Sequence, residues 1–366
     1  MRHIDEYRDG QMGRKLLQSL HARVKDRRTL RFMEVCGTHT VSIFRSGLRS
    51  ALPPQINLLS GPGCPVCVTA QQDIDKAVEL ARQPNTILVT YGDMVKVPGT
   101  RSNLQAERSK GADLRVVYSP SDALTIAQTF PTKKVVFLGI GFETTTPPIA
   151  LVIKEAYRAK IDNLFVLSVH KVIPPPLKAL LDSGEAAIDG FLLPGHVSAI
   201  IGSQPYRFLS SDYKLPAVIS GFEPLDILQS IHMLIEQISN SRAEVEIQYR
   251  RVVREEGNVR AQEVVGEVFE PASVAWRGMG EIPASGLKLR EPYSRFDAEK
   301  AFDLDVSYSR EPAACSCGEM LRGVKSPYEC KLFAKVCTPD HPAGPCMVSS
   351  EGTCSVYYQY GDWRKA

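Results

Sequence analysis

Nine cysteines are the residues of this 366-residue chain best equipped for chemistry, and they are unevenly spread. Cys36, Cys64 and Cys67 lie early, and six more crowd between Cys315 and Cys354. Clustered thiols in a long chain of a reducing compartment point to metal or redox work rather than structural disulfides. Cys64 and Cys67, in "GPGCPVC", have the spacing of a small reversible disulfide and equally of half a zinc site. Zinc would need two more ligands, which Cys36 and His39 of "CGTHT" could supply, so redox pair and metal site both stand. Cys36 and Cys67 are each expected just ahead of a helix start, where backbone N–H dipoles favour thiolate over thiol.

The tail carries a sharper pattern. Setting aside Cys317 and Cys346 leaves Cys315, Cys330, Cys337 and Cys354, separated by fourteen, six and sixteen residues. Four thiolates without a histidine suit structural zinc or an iron–sulfur cluster. The paired two-residue spacings of zinc ribbons are missing, which favours the cluster. Cys317 and Cys346 are then neighbouring or spare thiols.

Elements that could position these groups follow from the apolar pattern. Strands are expected at 30–35, 56–59, 86–90, 114–118, 134–138, 164–169, 190–193 and 216–220, most of them followed by helical segments, the signature of parallel βαβ units. In "TAQQDIDKAVELARQ", Thr69 and Gln72 have capping-box spacing. In "TTPPIALVIKEAYRAK", Pro147 suits a first turn behind a threonine cap. Ligands of open parallel sheets bind beyond the carboxyl ends of the strands. Cys36, His39, Cys64, Cys67, Glu143, His170 and His196 all fall just past such ends, and so are expected on one side of their sheets. Each also has a plainer explanation: a hydrogen-bonded loop histidine, or for Glu143 a carboxylate at a helix N-terminus. Seven together make a candidate site. "GIGFET" is no dinucleotide fingerprint, because Thr144 stands where the third glycine belongs, and no Walker-type phosphate loop exists.

The expected fold class is α/β: two parallel-sheet, Rossmann-like α/β domains around a cleft, then a mostly helical or irregular C-terminal iron–sulfur domain. Boundaries are placed at 1–118, 119–240 and 241–366, with the first break near Ser119-Pro120 and a charge-rich helical stretch over 242–269. A net charge of +3 from 44 basic and 41 acidic side chains offers no field for nucleic acid or an anionic membrane surface. Acidic residues near the start argue against a secretory leader, and apolar runs are too short to span a bilayer. A cytoplasmic protein is expected.

"CGTHT", "GPGCPVC", "GFETTTP", "LLPGHVS" and "CTPDHPAGPCMVSSEGTCSVYY", in that order along the whole chain, resemble the HypD family of nickel–iron hydrogenase maturation proteins. The resemblance implies a scaffold on which the active-site iron acquires two cyanides and one carbon monoxide. The partners implied are a small HypC-type chaperone that shares the iron and a HypE-type carrier that delivers cyanide. By matching motif, Cys36 would bind the iron with His39 close by, Cys64 and Cys67 would be a redox-active pair at the iron site, and Cys315, Cys330, Cys337 and Cys354 would hold a 4Fe-4S cluster. Electrons passing from cluster to disulfide are then an expected relay, supporting cyanation and carbonylation of iron. Glu143, His170 and His196 are expected to position groups or move protons around the cyanide donor. Two other classes remain: an iron–sulfur-dependent thiol–disulfide oxidoreductase, and a zinc-stabilised interaction module.

Overall fold

Runs such as "TILVT" at Thr86–Thr90, buried along their whole length, can only be strands with both faces covered. The computed structural model describes residues 5–363. All eight expected strands form: β1 (Leu30–Glu34), β2 (Ile56–Ser60), β3 (Thr86–Thr90), β4 (Asp113–Val116), β5 (Lys134–Gly139), β6 (Leu164–Ser168), β7 (Gly190–Pro194) and β8 (Ala217–Ser220). A ninth, β9 (Val245–Ile247), lies in the stretch expected to be helical, whose helix starts only at Val259. The fold is α/β, with two parallel sheets flanked by helices.

The sheets do not follow the chain in blocks. The first has the order β2-β1-β7-β8-β9 and the second β4-β3-β5-β6. The chain leaves the first sheet after β2, builds the whole second sheet, and returns at β7, which pairs with β1 in the register Phe32 opposite Gly190. The expected break at Ser119-Pro120 is therefore corrected, because it falls between two strands of one sheet. Ser119 and Pro120 are the N-cap and first residue of the helix Pro120–Thr129, with Asp122 completing a capping box. The capping box expected at Thr69 is also corrected. Ala70 is the N-cap of Gln71–Arg82, and the Thr69 hydroxyl donates to Pro65 O at 2.7 Å.

The C-terminal third is less separate than expected. An antiparallel hairpin, β10 (Phe269–Trp276) and β11 (Gly280–Leu289), inserts Phe269, Leu287 and Leu289 into the core under the second sheet. Short helices follow. Cys317–Leu321 and Pro345–Val348 pack on the short helix Pro65–Val68, and Thr353–Tyr360 packs on Gly37–Arg45. The cysteine-rich tail thus closes directly over both early cysteine motifs. Among the described residues, no helix is long and apolar enough to cross a membrane.

Candidate metal and thiol centre

β1 and β2 run parallel with Glu34 opposite Ser60, so the loops that follow them leave the sheet side by side. The first is Val35-Cys36, and Cys36 is the N-cap of Gly37–Arg45. The second turns through Gly61-Pro62-Gly63 into Cys64. At Gly63 a Cβ would overlap the backbone N and Cα of Cys36, so only glycine lets the two loops touch. The Gly37 N–H donates to Gly63 O at 3.2 Å across the same contact. Cys64 and Cys67 form a disulfide, with Cα atoms 5.2 Å apart. Cys64, not Cys67 as expected, stands at the helix start; its sulfur accepts the Cys67 N–H at 3.3 Å, and Cys67 lies within Pro65–Val68.

The next strands of the same sheet bring the histidines. His196, just past β7, places Nδ1 3.9 Å from Cys36 Sγ. His39 donates through Nε2 to Gly221 O, just past β8, at 3.1 Å, which leaves Nδ1 without a partner. The Phe222 ring stands 4.9 Å from His39 and 5.4 Å from His196. Burial lowers both histidines to about 4, with the charge of His196 adding to the effect on His39, so both are neutral at pH 7. Four adjacent strands therefore gather Cys36, His39, Cys64, Cys67 and His196.

Cys36 itself does not follow the helix-dipole expectation. Burial, and then the Glu351 carboxylate, push its thiol up to about 12. Loss of water outweighs the favourable helix N-terminus, so the thiol keeps its proton at neutral pH unless a cation displaces it. Glu351 had no signal in the sequence. It arrives with the tail, accepting the Thr38 hydroxyl at 2.6 Å, and a Cβ on Gly37 would sit 2.7 Å from its own Cβ.

The two remaining candidates come from the second sheet. Glu143 is buried; Oε1 accepts the Ile173 N–H at 2.9 Å, at the start of the helix Pro174–Ser183, and Oε2 has no partner. It therefore anchors that helix rather than its own, and burial raises its carboxyl to about 7. The His170 ring bonds the Ser168 hydroxyl at 2.9 Å and packs on Phe269 of the hairpin, contacts shared with no member of the Cys36 group.

In the tail, all six cysteines line one apolar cavity with Met320, Phe333 and Met347. Cys317 and Cys346 stand together. Their sulfurs stand 2.6 Å apart, and Cys317 is the more acidic of the two, helped by the hydrogen bond from Cys346 and the Arg277 guanidinium. The other four are Cys315, Cys330, Cys337 and Cys354. Burial, then the charge of nearby Cys317, push Cys315 to about 12 and Cys354 well above the usual thiol range, so these two thiols keep their protons at neutral pH unless a cation displaces them. Cys337 accepts the Ala343 N–H at 3.3 Å, and a Cβ on Gly344 would come within 2.7 Å of Cys315 Sγ. This all-sulfur, glycine-cleared cradle fits an iron–sulfur cluster. Among the described residues no three metal-binding side chains converge as they would on a single ion. A cluster spreads its thiolates over several irons and does not need that convergence.

Residues 11–361 match the family described as HypD, "Hydrogenase formation hypA family". The chain belongs to the HypD family. Curated HypD-family relatives agree along its whole length. It is 47% identical to the hydrogenase maturation factor HypD of Cupriavidus necator, over 100% of this chain and 98% of that protein. It is equally 47% identical to HypD of Azotobacter vinelandii over the same shares, and 44% identical to HypD of Escherichia coli K12 over 98% of each. HypD membership makes hydrogenase maturation its role, which implies interacting maturation proteins.

Proposed function

We propose that this chain holds iron at Cys36 while two cyanides and one carbon monoxide are installed on it, sharing the metal with a small HypC-type chaperone and receiving cyanide from a HypE-type carrier in the cytoplasm. The observation that supports the reading is the backbone contact of Gly63 with Cys36, which brings the loop of a buried, soft sulfur against the loop that runs into the buried Cys64–Cys67 disulfide. The iron is the cargo. Cys36 binds it as thiolate once the metal displaces the proton, and neutral His196 offers a lone pair on the same side. Cys315, Cys330, Cys337 and Cys354 would hold a 4Fe-4S cluster, which supplies one-electron redox chemistry when bound. The chain's own contribution is to pack the Cys64–Cys67 helix against both helices carrying Cys317 and Cys346, shielding the sulfur pairs from water.

Anaerobic co-purification with the small chaperone, followed by metal analysis and infrared spectroscopy, tests this. Cyanide and carbon monoxide stretches on bound iron are expected. Their absence, together with partner-independent turnover of simple disulfides, would instead favour the oxidoreductase reading that the two sulfur pairs also support.

A further inference from the structure

A positive charge is buried where the segment after Cys67 meets the segment after Cys317. Arg277 follows directly on β10, and its side chain is buried. Its backbone N–H donates to Val68 O at 2.9 Å, and Trp276 pairs with Thr69 in an antiparallel bridge. Val68 is the residue after Cys67, so Arg277 is tied to the end of the helix Pro65–Val68. Nε donates to Thr69 O and Nη1 to Gln71 Oε1, both at 3.0 Å. On the other side, a Cβ on Gly278 would stand 2.2 Å from the Cα of Gly318, so the residues after Arg277 and after Cys317 touch backbone to backbone. The partners of the guanidinium are neutral, and Nη2 is shut off from water with nothing to bond. The acids at this corner are engaged elsewhere: Glu311 accepts the Gly278 N–H at 3.2 Å, and Asp73 accepts from Lys171 at 3.3 Å. Capping a helix end accounts for the bonds but not for the charge, since a neutral amide could donate in their place. A buried guanidinium is seldom left without an anion, because losing its water is costly. The groups here that can gain negative charge are the sulfurs.

We propose that Arg277 is the fixed countercharge of the Cys64–Cys67 pair, making that disulfide easier to reduce by stabilising the negative charge that reduction leaves on one sulfur. The inference rests on reading Cys64 and Cys67 as a redox pair. A small dithiol supplies two electrons and two protons and closes its own S–S bond. The Cys64–Cys67 bond breaks, one sulfur takes a proton, the other stays thiolate, and the second proton goes to solvent. Arg277 keeps its charge throughout and reacts with nothing, so it is a positioning residue that acts through its field. Because it is bonded to the carbonyls just past Cys67, it is already in place when the charge appears.

The test uses the full chain under argon, as wild type, Arg277→Gln, Arg277→Lys and Gln71→Leu, each checked for folding by circular dichroism. Each is equilibrated with mixtures of reduced and oxidised dithiothreitol, quenched in acid and alkylated. Mass spectrometry of the peptide carrying both cysteines gives the fraction reduced. In Arg277→Gln the equilibrium constant for reduction is expected to fall about tenfold, which is about 30 mV for a two-electron couple. Arg277→Lys keeps the charge and loses the planar fork, so it should melt lower yet stay within about twofold of the wild-type constant. Gln71→Leu removes one acceptor and leaves the charge, and should likewise stay within about twofold. A tenfold fall in Arg277→Lys or Gln71→Leu, or a wild-type constant in folded Arg277→Gln, would show that Arg277 only packs this corner and would overturn the proposal. The lysine and leucine variants decide this even where Arg277→Gln does not fold. A wild-type disulfide that no dithiol ratio reduces would overturn the redox-pair reading first, and the countercharge with it.

Discussion

Substituting Gly63 by alanine probes the contact on which the site is built. The new Cβ would overlap the N and Cα of Cys36 and the carbonyl carbon of Val35, all closer than the 3.0 Å that Cβ atoms keep from other heavy atoms. Every one of these is backbone at the end of β1, held by its ladder to β2 and β7, so no side chain can swing away. The loop carrying Cys64 must retreat by roughly 1 Å, a displacement that costs a positioned reaction about a hundredfold. Overpacking of this kind destabilises by about 3 kcal/mol. With an unfolding entropy of about 0.8 kcal/mol/K for a chain this long, the melting midpoint should fall by about 4 °C. Gly266→Ala is the control: it lies in the helix Val259–Val268 with nothing within 4 Å of its added Cβ. That change should stabilise by about 0.5–1 kcal/mol. Calorimetry gives the midpoints, and iron retained after anaerobic co-purification gives the functional loss. A Gly63→Ala protein with the wild-type midpoint and full iron would refute the claim that the two loops must touch.

Three further outcomes follow from buried groups. Glu143 is raised from 4.5 to about 7, so between those values only the unfolded chain ionises there, and stability falls as pH rises. Glu143→Gln should remove a loss on the order of 3 kcal/mol from urea unfolding compared at pH 5 and pH 7.5. Arg251 grips the fully buried Asp226 with two bonds of 2.7 and 2.6 Å; Arg251→Met strands that carboxylate and should cost about 3 kcal/mol in the same assay. Cys330→Ser should abolish the visible absorbance of an anaerobically reconstituted cluster, whereas Cys346→Ser should keep it and lose only one titratable thiol.

Much of this architecture is legible before any coordinates. Continuous apolar runs declare buried parallel strands, and the loops after them declare the site, because parallel strands all point their carboxyl ends one way. What short-range pattern cannot show is which sheet a strand joins: nothing local in "GFLLP" tells that it returns to pair beside β1. The hairpin was hidden for a different reason. Pro271, Gly280, Pro283 and Gly286 interrupt its alternation, and a bulge shifts the register between Ala272 and Val274. The Cys317–Cys346 contact joins thiols 29 residues apart, a separation that carries no spacing rule. Glu351 and Phe222 matter only through tertiary placement. The thiolate expectation at Cys36 failed because the dipole argument knew the helix start but not the burial.

Whether Cys36 holds the iron is most directly decided by the infrared spectrum of the Cys36→Ser protein, purified with its small chaperone under argon. The cluster absorbance should persist while the bands of cyanide and carbon monoxide on iron vanish. The same bands, at wild-type positions and intensity in the serine protein, would place the metal elsewhere and contradict the account.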